Sequence, residues 1–442
     1  MQFGKHLNKG MWAFADKALP AMYGVGFIFL VIRILPEREY GAFVFVQSMY
    51  TIVAALGYSL SFQPLTKFAS ETKDNGVYIV ASLGMIALFF ALVSCIAMAG
   101  GHAIASYLIP NDDGKVLSLL HYLPALLFSG LYRSFAVSLL QTTYAIAKIF
   151  WIDAVYFIGT LVLIAIAKYI NLFSTASDVI TLIIVGQVCS TLLAMYLTRV
   201  AMSVKMALSW PAVKEMWHFG KYTFGGSSVY SVFSQMDVFF ISSFVGVTGV
   251  AVYSAAKIFT RIFDMLAQVA QMFLIPFSSK AFKEGAKDKL VVTAEKAICF
   301  STIFLFPVFV AMVFFPQTIL HLLYRGKYDQ GAMIVQFFGL LALIAPWNIV
   351  LSNYIVGIGK AKETFFYALI FLFVAGISLY VFTGWYGVVG ASAAYVFSFA
   401  FITVLFFFYV QKFFPITIVH VSRRTRDFWM FIRQNINSLL KK

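Results

Sequence analysis

Charge is what this sequence has least of. Only 12% of its 442 residues are Asp, Glu, Lys or Arg, against 61% hydrophobic, whereas soluble domains carry about 25% charged residues. So little charge does not cover a water-facing surface. With a mean hydropathy of +0.87, the solvent around most of the chain is lipid. Cysteine is scarce too. Cys95, Cys189 and Cys299 each lie inside an apolar run and form no CxxC pair, which argues against a zinc site or disulfide framework and leaves packing cysteines. Walker A, HExxH and nucleophile-elbow sequences are missing, so the chain reads as a non-enzyme with no metal and no cofactor. His102, His121, His218, His321 and His420 are scattered without ligand spacing, and Asn111–Asp112–Asp113–Gly114 beside Pro110 reads as a turn. A cleavable signal peptide pattern is also missing, since the apolar run after Lys5 and Lys9 is longer than a signal h-region and lacks a small-residue cleavage site.

What is present is a succession of long apolar stretches. A helical span needs about 20 residues. Twelve stretches qualify, near 11–32, 39–61, 77–99, 116–140, 148–170, 178–200, 219–245, 249–275, 291–314, 331–356, 363–383 and 387–411. These are twice the length of β-barrel strands, so the expected fold is an all-α integral membrane protein of twelve transmembrane helices. The seventh and eighth are the weakest, being interrupted by Asp237, Lys257, Arg261 and Asp264.

The net charge of +15 is spread between apolar stretches and forms no groove, so nucleic acid is not an expected partner. It is better read as topology. With the N-terminus inside, 22 of the 33 Lys and Arg residues fall in inside segments, six in outside connections and five in or at the ends of spans. This positive-inside bias predicts a multi-pass membrane protein with both termini cytoplasmic.

An internal repeat divides the chain. Pro64, after the second span, maps onto Pro276, after the eighth, and Lys148 maps onto Lys360, both at an offset of 212. Each half has an even number of spans, so the repeat is parallel, about an axis along the membrane normal, as in transporters whose two bundles rock about a site near the midplane. The expected organisation is a six-helix bundle over 1–200, an amphipathic cytoplasmic linker over 201–218 whose helix starts near Pro211, a second bundle over 219–411, and a basic tail over 412–442. Phe428, Ile432, Ile436 and Leu440 recur every four residues in that tail among Arg424, Arg426, Arg433, Lys441 and Lys442, which reads as a helix lying on anionic membrane lipids.

Charge within the bilayer costs about 2.5–3.5 kcal/mol on insertion scales and is a functional signal by default. Asp237 and Lys257 lie about ten residues either side of the turn near Val247, so both sit about 15 Å deep, at depths where an ion pair is plausible. Lys257 and Arg261 share a helix face, with Asp264 one turn on. Asp16 and Lys17 enter the first span, Arg133 lies in the fourth and Asp153 in the fifth. One reading is a cationic cavity of Lys257, Arg261, Arg133 and Lys17 for an anionic head group such as a pyrophosphate. Asp237, Asp264 and Asp153 are then candidates for proton or sodium coupling. The competing reading makes all of these structural ion pairs that fix helix register.

Three segments carry a family resemblance: Arg33–Phe43 (RILPEREYGAF), the stretch from Gly57 to Glu71, and Gln235–Phe240 leading to Gly249–Lys257, with Pro276 near Ser278 and Ser279. In their order and spacing the chain resembles the polysaccharide-exporting flippases of the multidrug/oligosaccharidyl-lipid/polysaccharide (MOP) superfamily, including the O-antigen flippases. The resemblance implies a flippase for an undecaprenyl-pyrophosphate-linked oligosaccharide, such as a lipopolysaccharide repeat unit, with a cavity lined by basic residues and other polysaccharide-assembly proteins as partners. The two extra spans of the peptidoglycan-precursor flippases are not seen. A multidrug cation antiporter of the same superfamily shares the topology but favours acidic cavity groups. A membrane polysaccharide polymerase or ligase needs a large outside loop, and the outside connections here are short.

Overall fold

A computed structural model describes residues 2–71, 76–108, 114–143, 145–199 and 207–430. Among them every regular element is a helix, as the bilayer demands: each backbone N–H and C=O in lipid must be paired within its own segment. The chain parts into two compact units, 1–251 and 252–442.

The first unit contains α1 (Gln2–Phe27), which runs on through a π turn at Ile28–Ile32, then α2 (Glu37–Glu71), α3 (Gly76–Leu108), α4 (Lys115–Leu120), α5 (Leu123–Thr142), α6 (Ile146–Tyr169), α7 (Ala176–Thr198) and α8 (Trp210–Phe244). Phe62, Leu65, Phe90, Leu127 and Phe135 form a core between α2, α3 and α5. The crossing of α2 with α8 depends on small residues, which let backbones approach where no hydrophobic effect drives helices together. Pro64 has no N–H, so the Leu60 carbonyl loses its partner one turn on. Gly220 of α8 lies against that carbonyl, so closely that a Cβ there would stand 2.4 Å from it. The Thr223 hydroxyl donates to the neighbouring Ser59 carbonyl at 2.7 Å. In the Arg33–Phe43 motif, Glu39 ties three helix starts together. It accepts from Lys115 at the head of α4 and from the Ala176 N–H at the head of α7 at 3.0 Å. There Thr175 and Asp178 close a capping box.

The helix α9 (Val247–Lys257) begins in the first unit and ends in the second. The second unit continues through a 3₁₀ turn, Ile258–Thr260, into α10 (Arg261–Lys283), α11 (Lys287–Phe314), α12 (Pro316–Tyr324), α13 (Ala332–Gly357) and α14 (Ala361–Gln411). Leu274, Ile298, Val350, Tyr354, Phe406 and Phe414 form its core. The helix α14 is broken at Gly387, at φ 56° and ψ −136°, a conformation open to glycine. Its two arms fold back on each other: Tyr367 meets Phe406 at 5.4 Å, Phe371 meets Phe399 at 5.4 Å, and the Ser378 and Ser398 hydroxyls bond at 2.9 Å.

After α14 the chain turns helical again in α15 (Ile418–Arg423), capped by the Thr417 hydroxyl and continued by a helical turn to Met430. This segment lies on α11. Arg424 donates through Nε and Nη2 to Glu295 Oε2 at 3.0 and 2.8 Å, and those bonds hold its guanidinium above even its ordinary high pKa. Lys296 pairs with Asp427 at 3.3 Å, and Phe428 packs edge-on against Phe300 at 5.2 Å. Phe428, expected on the lipid face of the tail, therefore points to the protein. Ile432, Ile436, Leu440, Arg433, Lys441 and Lys442 lie outside the described residues, as do Asn111, Asp112, Asp113 and the stretch 201–206 of the expected linker.

Ten described segments are long and apolar enough to cross a membrane. One of them, Lys362–Gln411, is the folded pair of arms that the sequence counts as two spans. The expected seventh span lies in α8, whose Gly, Ser, Tyr, Gln and Asp residues keep it outside the ten. This helix starts at Trp210 with Pro211 in its first turn, as the sequence suggests, and runs without interruption from the expected linker into the expected span. Pro64 stands seven residues before the end of α2 and Pro276 seven before the end of α10, like places for the two repeat landmarks. Cys299 is buried but Cys95 and Cys189 are exposed, correcting the expectation of interior packing. In a membrane helix an apolar run is as compatible with the lipid face as with the core.

Candidate functional site

Among the described residues, each unit has a polar cluster that interrupts its apolar helices. In the first unit, Arg133 of α5 forms an ion pair with Asp153 of α6. The sequence offers Arg133 no local partner, because the partner lies one helix on. Its guanidinium also sits 4.4 Å from the centre of the Tyr156 ring, a cation–π contact strengthened by exclusion of water. The Asp16 carboxyl of α1 lies beside that of Asp153. Lys17 reaches Asp16 only at 4.0 Å, and its own side chain is 77% exposed.

A neutral hydrogen-bonded layer supports this nest. Gln187 of α7 donates to the Tyr50 hydroxyl at 3.0 Å and accepts from Ser129. Thr191 donates to the Ser129 carbonyl at 2.8 Å, and Ser134 to the Tyr58 hydroxyl at 2.8 Å. Two buried atoms, Asp16 Oδ1 and Arg133 Nε, have no hydrogen-bond partner among the described residues. Buried polar atoms are normally satisfied, so the nest has unused capacity for both an acceptor and a donor.

In the second unit, Lys257 closes α9 and Arg261 opens α10, with the 3₁₀ turn between them. The helix tightens locally here, with Lys257, Thr260 and Arg261 all keeping right-handed helical backbone angles. Thr260 donates back to the Lys257 carbonyl at 2.8 Å. The Lys257 ammonium lies 5.8 Å from the Tyr253 ring and 5.6 Å from the Tyr395 ring. Tyr253 is wholly buried and packs edge-on against Phe338 at 5.6 Å, while Tyr324 donates to the Ala255 carbonyl at 2.9 Å. Arg261 and Asp264 are exposed, and both Lys257 and Arg261 act electrostatically on Asp264. Asp237 belongs to the first unit, on α8, where it is 1% exposed and accepts from the Val238 N–H at 2.9 Å.

The structure thus brings together Arg133 with Asp153, and Lys257 with Arg261 and Asp264. Lys17 stands at the edge of the first cluster. Sequence reasoning noted Asp16 at the entry of the first span without giving it a role, and passed over Tyr50 and Gln187. Asp16 carried a usable signal as a carboxylate within an apolar run, whereas nothing in the order of residues marks Tyr50 or Gln187.

With ten described helical segments long and apolar enough to cross a membrane and charge gathered inside them, the chain belongs to the class of polytopic membrane proteins, and comparison with known proteins narrows the class. A family model described as "Polysaccharide biosynthesis protein" matches residues 30–332, more than half of the chain. The chain belongs to this family. Two uncharacterised membrane proteins of Methanocaldococcus jannaschii are 26% identical over 157 residues and 25% identical over 173 residues, 35% and 38% of this chain. The matches span 31% and 39% of those relatives' own lengths. Among solved structures, an inward-facing multidrug resistance MATE family transporter of the MOP superfamily aligns over 94% of this chain and 99% of its own, with a TM-score of 0.73 at 15% identity. The lipid II flippase MurJ in an inward closed conformation aligns over 94% and 89%, with a TM-score of 0.73 at 14% identity. A MOP superfamily transporter from Pyrococcus furiosus, described as having a binding pocket of reverse polarity, aligns over 91% and 93%, with a TM-score of 0.63 at 15% identity. The fold is that of the MOP transporters.

Proposed function

We propose that the chain is a flippase that carries an undecaprenyl-pyrophosphate-linked oligosaccharide from the cytoplasmic to the periplasmic leaflet by alternating access. It does so as twelve spans in two parallel six-helix halves, with both termini in the cytoplasm of a bacterial inner membrane. Membership of a polysaccharide biosynthesis family supports the substrate class, and the distribution of Lys and Arg supports the orientation. The observation that carries the reading is the cationic pair in an otherwise apolar segment, Lys257 and Arg261 flanking Ile258–Thr260. A pyrophosphate needs cations with several N–H donors, and Arg and Lys supply them as a fork and a point charge. The tyrosine rings beside Lys257 give its flexible stem a fixed place.

The nest around Arg133 supports the coupling role proposed for Asp153. One guanidinium faces two carboxyls, with the exposed Lys17 ammonium 4.0 Å from Asp16 at the edge of the nest, so a proton or a sodium ion has two neighbouring carboxyls to join. The unpartnered Asp16 Oδ1 favours the same reading. This pair of neighbouring carboxyls is also the observation that favours a second function, a multidrug cation antiporter.

Transport of a labelled lipid-linked oligosaccharide in proteoliposomes, with Lys257→Ala and Arg261→Ala variants, tests the proposal. The expected result is a rate at least tenfold lower in each variant, with membrane insertion unchanged. Wild-type rates in both would remove these residues from the substrate site and leave them as helix-register devices.

A further inference from the structure

The helical segment 418–430 has two chemically distinct faces. At about 100° per residue, His420, Val421, Arg424, Asp427 and Phe428 fall on one side. These are the residues that meet α11: Arg424 on Glu295, His420 on the same carboxylate at 3.4 Å, Asp427 on Lys296 and Phe428 on Phe300. Glu295 is 1% exposed, so it is a fixed anchor that determines how the segment is rolled. The opposite side presents Ile418, Val419, Arg423, Arg426, Trp429 and Met430, all exposed.

We propose that segment 418–430 is a membrane-surface strap whose roll is set by the Glu295–Arg424 pair and whose outer face docks on the anionic phospholipid headgroups of the leaflet beside it. Its position supports this occupant. The strap begins seven residues after the last residue of the apolar helix α14, which confines it to the lipid–water boundary. Trp429, 66% exposed, and Ile418, 68% exposed, are the side-chain types that enter this boundary, and Arg423 and Arg426 flank them to meet phosphodiester oxygens. The end of the second unit to which the strap belongs carries further exposed cations, Lys280, Lys283, Lys287, Lys289 and Lys412, so the docking face continues a positive field. Arg424 does not take part, although its charge in the sequence looks like that of its neighbours, because Glu295 neutralises it. The surface therefore differs from the Phe428-centred face suggested by the four-residue spacing.

The test uses the full-length protein in nanodiscs, with its native cysteines replaced and an environment-sensitive fluorophore on Ser422→Cys, at the centre of the outer face. In discs containing 30% phosphatidylglycerol, the label is expected to be shielded from an aqueous collisional quencher. In discs of phosphatidylcholine alone it is expected to be several-fold more accessible, and 0.5 M salt should narrow the difference. Arg423→Gln and Arg426→Gln leave the α11 contacts untouched. Each should lower the ratio of shielded to accessible label in anionic discs about fivefold, the equivalent of about 1 kcal/mol per surface cation. Equal shielding in the two lipid compositions, or no change in either variant, would overturn the proposal. Retention of the wild-type melting temperature by both variants separates a lost surface contact from a lost fold.

Discussion

At the scale of single residues, a buried charge must find a partner. Arg133 finds Asp153, and the pair sits among Tyr156, Tyr50 and Gln187 rather than in water. Removing one member of such a pair leaves the other uncompensated, whereas removing both takes away the unpaired charge. Arg133→Met is therefore expected to lower stability by about 3–5 kcal/mol, read as a fall in melting temperature in detergent. Arg133→Met combined with Asp153→Leu should recover most of it. A single variant as stable as the wild type would contradict the pairing. The sequence made Arg133, Asp153 and Lys257 legible because charge within an apolar run is conspicuous. Their partners were harder to read. Pairing between helices depends on which helices pack together, and that information does not reside in local spacing.

At the scale of elements, close approach is built from glycine and proline. Gly220 meets a bare carbonyl that Pro64 has released, and Gly225, five residues along the same helix, has open space where a Cβ would stand. Gly220→Val should push α8 from α2 and cost about 1–3 kcal/mol, while Gly225→Ala should be neutral or slightly stabilising because alanine is the better helix former. Thermal melts of the two variants side by side check this, and equal melting temperatures would refute the crossing. Element existence was well encoded, since apolar runs of span length became helices almost throughout. Two features were less plain. The polarity of α8 weakens the seventh span, read at 219–245, and conceals that its 35-residue helix starts as early as Trp210, while the turn at Gly387, read as a break between 383 and 387, lies inside an otherwise apolar stretch. The fold-back of the tail onto α11 was not legible either, because the decisive partner, Glu295, lies 129 residues from Arg424.

At the scale of the whole molecule, composition settles the environment, and the arrangement of charge suggests the task. In a chain with 12% charged residues, the described intramembrane charge includes an Arg–Asp–Asp nest in the first unit and a Lys–Arg pair in the second, besides the buried Asp237 on α8 and Glu295 on α11. The first suits coupling to a small cation, and the second suits an anionic head group. Family membership and the MOP fold agree with a transporter. The central claim, that the cargo is a pyrophosphate-linked sugar lipid, is tested most directly with the wild-type protein in proteoliposomes, by following a fluorescent undecaprenyl-pyrophosphate oligosaccharide and a fluorescent cationic drug in parallel. The account predicts protein-dependent movement of the sugar lipid between leaflets and none of the drug. Drug transport driven by a proton or sodium gradient, with the sugar lipid left in place, would contradict it.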